Sequence, residues 1–144
     1  MAKHTGRVKK SVLINANVDS VWNKLKKITK LDWLENHKSS KFLSRKKSGI
    51  GAIRLISFDD GSDVEEHVVN WSPKKSFSYI AISGLPLKSY LATISIKRIS
   101  NKKVRVTWES YFVSEIKKKE FSEFYNFLSQ FYTNSLKNLK LDLE

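Results

Sequence analysis

Cysteine is absent from this chain of 144 residues, and glycine and proline are scarce, with only 5 and 2 residues respectively. The absence of cysteine excludes a disulfide framework, a thiolate metal site and a cysteine nucleophile. The low glycine and proline content argues against disordered or collagen-like structure. A cysteine-free chain is compatible with a reducing compartment, and we expect a cytoplasmic protein. The length fits one domain, 1–144, with a core of its own.

Long apolar runs are also lacking, and none approaches the roughly 20 residues that span a bilayer. The N-terminus is basic, but no apolar segment follows it as in a secretory signal. The three histidines, His4, His37 and His67, show no metal-binding spacing. No G-x-S-x-G elbow is present to indicate acyl-transfer chemistry. We therefore expect a soluble protein with no metal and no cofactor, and no catalytic constellation is evident.

Positive charge is in excess, because the chain has 27 Lys and Arg but only 14 Asp and Glu, which gives a net charge of +13. Such a charge attracts nucleic acid, anionic membranes or acidic partners. The positive residues are spread over 3–10, 24–30, 38–47 and 117–119, and no stretch interleaves arginine with aromatic residues. This distribution favours a solvated, lysine-rich surface over nucleic-acid binding. The charge is also compatible with weak contact between this surface and anionic surfaces.

The hydrophobic periodicity predicts a strand, two short helices, six strands and a long helix. The first strand covers 7–15, and Asn17 or Asp19 caps a helix over 18–28. A second short helix is predicted over 30–37. Six strands are predicted over 40–46, 51–58, 63–71, 76–82, 89–99 and 103–113, with Asp59-Asp60-Gly61 as a hairpin turn.

The last predicted helix, 117–141, carries an apolar stripe that is rich in aromatic residues. Six strands in series cannot form alternating βαβ units, so the pattern predicts an α+β fold with this helix across an antiparallel sheet. So many aromatic residues suggest a wide gap between helix and sheet, filled by large rings or by a ligand. A packed core without any ligand explains the stripe as well.

Several short motifs occur in an order that resembles a known superfamily. They are residues 18–22 (VDSVW), 31–34 (LDWL), 49–54 (GIGAIR), 84–90 (GLPLKSY) and 108–112 (WESYF), with Glu66, Trp71 and Pro73 between them. Together they resemble the helix-grip, START-like superfamily (SRPBCC), and within it the polyketide cyclase/dehydrase and lipid-transport group. Glu109-Ser110-Tyr111 is distantly similar to plant abscisic-acid receptors. The resemblance implies a curved antiparallel sheet of about seven strands, two short helices and a long C-terminal helix enclosing a cavity.

The resemblance also implies that Glu66, Tyr90 and Glu109 face the cavity, with a lysine from the early strand, Lys41 or Lys38. Because side chains alternate between the two faces of a strand, these residues predict which of their neighbours also face the cavity. With Glu66 inward, Val64 and Val68 face inward too. With Tyr90 inward, so do Ala92, Ile94 and Ile96, an apolar set that supports this orientation.

For Glu109 the resemblance and the hydrophobicity disagree. An inward Glu109 would turn Trp108 and Phe112 outward, and hydrophobicity favours the reverse unless a β-bulge intervenes. Arg54 is a plausible partner for Glu66, either at a ligand site or in a purely structural ion pair.

Aromatic and aliphatic residues complete the expected lining: Tyr79, Phe124, Phe127, Leu128 and Phe131. Ordinary core packing is the alternative for the phenylalanines. The function that we predict is binding of a lipophilic or amphipathic small molecule in the cavity, by a monomer or weak dimer. The alternative is a cyclase or dehydratase that uses Glu66 or Glu109 with Tyr90 as acid and base. A third option is docking of an acidic partner on the basic surface.

Overall fold

A computed structural model describes residues 3–144 of the chain. It contains seven strands and two helices within that range. Their bounds in chain order are β1 His4–Ile14, α1 Val18–Leu25, β2 His37–Phe42, β3 Ile53–Phe58, β4 Asp63–Ser72, β5 Ser76–Ser83, β6 Ser89–Ser100, β7 Lys103–Ser114 and α2 Lys118–Leu143.

All seven strands form one antiparallel sheet in the order β1-β7-β6-β5-β4-β3-β2. Strands β2 to β7 follow one another as neighbours, and β1 pairs with the last of them. The register of β1 with β7 is continuous from His4 opposite Ser114 to Ile14 opposite Val104. The predicted α+β helix-grip architecture, a curved sheet with a long C-terminal helix laid against it, is confirmed.

Helix α1 begins at an Asn17 cap, whose side chain accepts a hydrogen bond from the Ser20 amide over 2.8 Å. An asparagine cap satisfies one of the amides that the first helical turn leaves without a partner. The helix buries Val21, Trp22 and Leu25 and ends at Leu25. It is therefore three residues shorter than the predicted span of 18–28.

The second short helix predicted over 30–37 is wrong. Within the described residues, this segment forms successive turns, with the Leu34 amide bonded to the Leu31 carbonyl and the His37 amide to the Leu34 carbonyl. Asn36 has a φ of 58°, which a right-handed helix does not accommodate. The turns still bury Leu31, Trp33 and Leu34, so the apolar pattern reflects burial without a helix.

Helix α2 packs on the sheet mainly through its C-terminal half. Its buried residues all lie between Leu128 and Leu139. Earlier in the helix, Phe124 is only half-buried, and Phe127 is 56% exposed. Phe121 and Tyr125 hold this part of the helix against Phe112 of β7, and the helix face that carries Phe124 and Phe127 leaves space beside the sheet. Neither α2 nor any other helix of residues 3–144 has the length and apolar character of a membrane span.

Candidate functional site

A pocket of about 590 Å³ occupies the space between the first half of α2 and the sheet. Phe124, Phe127 and Phe131 contribute the helix side of its lining. Tyr79 from β5 and Trp108 from β7 contribute the sheet side. The pocket is thus walled largely by aromatic rings, a composition typical of small-molecule sites.

The aromatic wall is held by direct ring contacts. The Trp108 and Tyr132 rings stack in parallel, with centroids 3.8 Å apart and planes 9° from parallel. Phe131 meets Phe58 of β3 edge to face at 5.8 Å and stacks on Phe127 at 6.1 Å. These contacts tie the helix to both halves of the sheet and fix the shape of the wall.

A buried ion pair lies at the floor of the pocket. Arg54 on β3 and Glu66 on β4 are register partners, and both are almost completely buried. Arg54 Nε donates to Glu66 Oε1 over 2.9 Å, and a second guanidinium nitrogen lies 2.8 Å from the same oxygen. The third nitrogen donates to the Ile28 carbonyl over 2.8 Å. Every guanidinium nitrogen is therefore engaged.

The Glu66 carboxylate, in contrast, has a hydrogen-bond partner within the described residues at only one of its two oxygens. Both contacts from Arg54 reach Oε1, and no hydrogen bond within residues 3–144 reaches Oε2. Because Glu66 lines the pocket, this second oxygen is an acceptor that the described part of the chain leaves free toward the cavity. Burial raises the pKa of Glu66 above its usual value, and the adjacent Arg54 opposes that shift.

Three tyrosine hydroxyls lie around this carboxylate. The Tyr79 hydroxyl accepts a hydrogen bond from Trp108 Nε1 over 3.0 Å, and the guanidinium of Arg54 lies 4.8 Å from the centre of the Tyr79 ring. The hydroxyls of Tyr90 and Tyr132 bond to each other. Burial raises the pKa of all three tyrosines, so they stay neutral near pH 7. The floor can donate and accept hydrogen bonds beside one carboxylate.

Two loops form the mouth of the pocket. The β3–β4 turn contributes Asp59, Asp60 and Ser62, and the β5–β6 loop contributes residues 84–86. Most of these residues are exposed, whereas Arg54 and Glu66 are buried. The pocket therefore runs from a polar, exposed mouth to a buried polar floor. Within the described part of the chain, no group of three or more acidic or histidine side chains is arranged to hold a metal ion.

Most of the residues predicted for the site line this one pocket. They are Arg54, Glu66, Tyr79, Tyr90, Ile94, Phe124, Phe127 and Phe131.

Glu109 was predicted to face the cavity, and it does not. Its carboxylate lies on the opposite face of β7 and forms an exposed ion pair with Arg7 at 3.2 Å. Trp108, Ser110 and Phe112 face inward instead and are buried. The register of β7 with both neighbours is unbroken at this point, so no bulge turns Glu109 inward. Here hydrophobicity was the correct guide.

Four other predicted residues also lie outside the lining. Lys41 is exposed, because strand alternation places its neighbour Phe42 opposite the inward Arg54. Val68, Ala92 and Leu128 are buried in the core without reaching the pocket. They face inward as predicted, but neighbouring side chains cover them.

Sequence reasoning missed several lining residues. Trp33 and Leu34 belong to the segment taken as a helix, and Phe58 and Ile56 belong to β3. Trp108 was assigned outward whenever Glu109 was assigned inward. In each case the large apolar side chain was the signal that could have identified the residue. For Ile56 there is a second signal, because alternation along β3 from the inward Arg54 predicts that Ile56 faces inward too.

An antiparallel seven-stranded sheet, a long helix laid against it and a pocket between them define the helix-grip class of proteins. The chain belongs to the family described as polyketide cyclase / dehydrase and lipid transport, which matches residues 5–144. A search of curated proteins finds no match.

Solved structures share the same fold at low sequence identity. An uncharacterised protein from Bacillus thuringiensis is 23% identical with a TM-score of 0.80, covering 96% of this chain and 98% of its own. The Zhui aromatase/cyclase from Streptomyces sp. R1128 is 12% identical with a TM-score of 0.79, covering 97% and 94%. Norcoclaurine synthase from Thalictrum flavum, in complex with dopamine and hydroxybenzaldehyde, is 14% identical with a TM-score of 0.73, covering 96% and 86%.

Proposed function

We propose that this protein binds a lipophilic or amphipathic small molecule in the pocket, with the polar end of the ligand at Glu66. The observation that carries this proposal is the free Oε2 of Glu66 at the floor of an aromatic pocket. A ligand that donates a hydrogen bond to this oxygen would gain a charge-assisted contact inside an apolar cavity. The family supports the proposal in general terms, since its description includes lipid transport.

Apolar contact would supply most of the binding free energy. Burial contributes about 25 cal/mol per Å² of apolar surface, so a ligand that buries about 200 Å² gains about 5 kcal/mol before the cost of association. The polar groups at the floor would then select and orient the ligand. In this scheme Phe131 and Trp108 hold the ligand body, and Glu66 holds its head.

A neutral fluorescent reporter, phenylnaphthylamine, tests whether the pocket binds apolar molecules. Ile94 lines the pocket and Leu91 lies on the opposite face of the same strand, so Ile94→Trp and Leu91→Trp form a matched pair. We expect Ile94→Trp to abolish the fluorescence increase and Leu91→Trp to retain it. Circular dichroism checks that both variants fold. Equal binding by both folded variants would place the reporter elsewhere and refute the proposal.

Acid–base catalysis is the second candidate, and the raised pKa of Glu66 favours it specifically. A carboxyl group whose pKa is shifted toward neutrality is better suited to exchange protons with a bound substrate. The neutral hydroxyls of Tyr79 and Tyr90 line the same pocket and could assist a cyclisation or dehydration. Glu66→Gln separates the two candidates. Retained ligand binding with lost turnover supports an enzyme, and no turnover by the native protein across a polyketide panel supports a binding protein.

We also propose that the protein acts in the cytoplasm as a monomer or weak dimer. The absence of cysteine supports a reducing compartment. Weak contact of the lysine-rich surface with anionic membranes would bring the pocket near lipophilic ligands. Sedimentation at several protein concentrations measures the oligomeric state directly.

A further inference from the structure

The charge of the pocket lining is opposite in sign to that of the chain. The chain carries a net charge of +13. Among the lining residues, by contrast, the acidic ones are Glu35, Asp59, Asp60 and Glu66, and the one basic residue within 3–144 is Arg54. Lysine is the dominant charged residue elsewhere, yet none of the described lysines lines this pocket.

The acidic residues near the mouth are not neutralised by the abundant lysines. Glu35, Asp59 and Asp60 form no ion pair within the described range. Glu35 accepts a hydrogen bond from the Asn134 amide group, and Asp60 accepts from the Ser62 hydroxyl over 2.6 Å. These partners are neutral, so the negative charges remain.

The charge of the single lining cation, Arg54, is already offset by Glu66, its partner in the buried ion pair. Each nitrogen of Arg54 is already engaged by Glu66 or by the Ile28 carbonyl. Two side-chain polar groups on buried lining residues have no protein partner within residues 3–144: the Oε2 atom of Glu66, an acceptor, and the indole Nε1 of Trp33, a single neutral donor that does not offset the carboxylates. An anionic head beside Glu66 would face an unshared carboxylate oxygen without a free cation. A cationic head would meet its natural partner.

The walls also suit a cation. Aromatic faces attract ammonium groups through the ring quadrupole, more strongly where water is excluded. The mouth carboxylates of Asp59 and Asp60 are exposed, but charges within a Debye length of about 8 Å still act on a ligand at the mouth at physiological ionic strength. Aromatic walls and unpaired carboxylates together form a site for a positively charged organic head.

We propose that the pocket selects an organic cation, an amine or quaternary ammonium group carried on an apolar body. This inference rests on the proposed binding function and specifies its ligand class.

Competition with the phenylnaphthylamine reporter tests the inference with three ligands of the same shape: phenylbutylammonium, phenylbutanol and phenylbutyrate. We expect the ammonium to compete most strongly, the alcohol less strongly and the carboxylate least. Equal competition, or strongest competition by the carboxylate, overturns the charge preference while leaving the binding function intact. Failure of the reporter itself to bind overturns both.

Neutral, nearly isosteric substitutions locate the source of the preference. The triple variant Glu35→Gln/Asp59→Asn/Asp60→Asn removes three charges while keeping the acceptors for Asn134 and Ser62. We expect its affinity for phenylbutylammonium to fall on the order of tenfold, and its affinity for phenylbutanol to stay within about twofold.

A control triple variant removes the same charge away from the pocket. Asp19, Glu120 and Asp142 are exposed and lie outside the lining. Asp19→Asn/Glu120→Gln/Asp142→Asn should leave the ammonium affinity within about twofold, since screening weakens distant surface charges. An equal loss in both triple variants would show that net charge alone sets the preference, and would overturn the proposed role of the mouth.

Discussion

Arg54 and Glu66 face each other across adjacent strands, and the Arg54 guanidinium donates from Nε to the Glu66 carboxylate over 2.9 Å. Both side chains are buried, so each neutralises a charge that would otherwise be isolated in the interior. The pair also leaves one oxygen of Glu66 uncommitted. One contact therefore serves the stability of the fold and presents an acceptor to the pocket.

Breaking this pair on one side should destabilise the protein strongly. We expect Glu66→Leu or Arg54→Met to lower the free energy of unfolding by about 3–5 kcal/mol, because the remaining charge is left buried without a partner. The double variant should lose much less than the sum of the two. Urea unfolding of all four proteins completes the cycle. Additive losses would mean that the two side chains do not stabilise each other.

The raised pKa of Glu66 gives a pH dependence of defined sign. A carboxyl whose pKa is raised by folding binds its proton more tightly in the native than in the unfolded protein. Its contribution to stability is complete below the unfolded pKa, near its ordinary value of 4.5, and is lost as the pH rises through the raised native pKa. Unfolding free energies measured in urea across this interval should fall more steeply with pH for the native protein than for Glu66→Gln. Parallel curves would contradict the shift.

The hydroxyls of Tyr90 and Tyr132 should behave as a coupled pair. Tyr90→Phe or Tyr132→Phe leaves the other hydroxyl buried without its partner, at a cost of about 1–3 kcal/mol. Replacing both removes the two polar groups together, so the double variant should recover much of that loss. Thermal and urea unfolding measure the three variants. A double variant as unstable as the sum of the singles would show that each hydroxyl has other partners.

Glu109 provides a matched control for Glu66. Its ion pair with Arg7 is exposed, and exposed pairs contribute about 0–1 kcal/mol. Glu109→Gln should therefore change the free energy of unfolding by less than about 1 kcal/mol and leave reporter binding unchanged. Glu66→Gln should alter both properties. If Glu109→Gln weakened reporter binding, the outward orientation of this residue would be wrong.

The fold was largely predictable from the sequence because local signals agreed with one another. Alternation in β6 places Tyr90, Ala92 and Ile94 inward, and the structure buries all three. The segment 30–37 was not predictable in the same way. Its leucines and Trp33 are spaced as in a helix, but Asn36 adopts a left-handed conformation that no apolar pattern reveals.

The site was predicted less completely, for a physical reason. Alternation decides which face of the sheet a side chain joins, but it does not decide how deep the neighbouring rings reach. Val68 and Ala92 therefore face inward without touching the pocket, whereas Trp108 extends into it. The mouth depends on two loops that strand periodicity does not describe. The negative charge of the mouth, opposite in sign to the net charge of the chain, arises because the fold places the acidic loop residues and Glu35 around one pocket.

Gly84 is a sterically constrained position in the mouth of the pocket. Its φ is +99°, and a Cβ atom built there would collide with the Asp63 carbonyl oxygen and lie 2.9 Å from the Val64 Cα. Both contacts are with backbone, so relief requires the β5–β6 loop to move away from β4. We expect Gly84→Ala to lower the free energy of unfolding by about 1–3 kcal/mol from backbone strain alone.

Gly61 offers the matched control, since it also has a positive φ of +87° but a Cβ atom there meets nothing within 4 Å. Gly61→Ala should therefore show the strain without the collision, and a smaller loss of stability. Because Gly84 lines the pocket and the collision displaces its loop, Gly84→Ala should also weaken reporter binding more than Gly61→Ala. Urea unfolding and reporter titration measure both effects. Equal losses in the two variants would show that φ alone, and not the close approach to β4, constrains this loop.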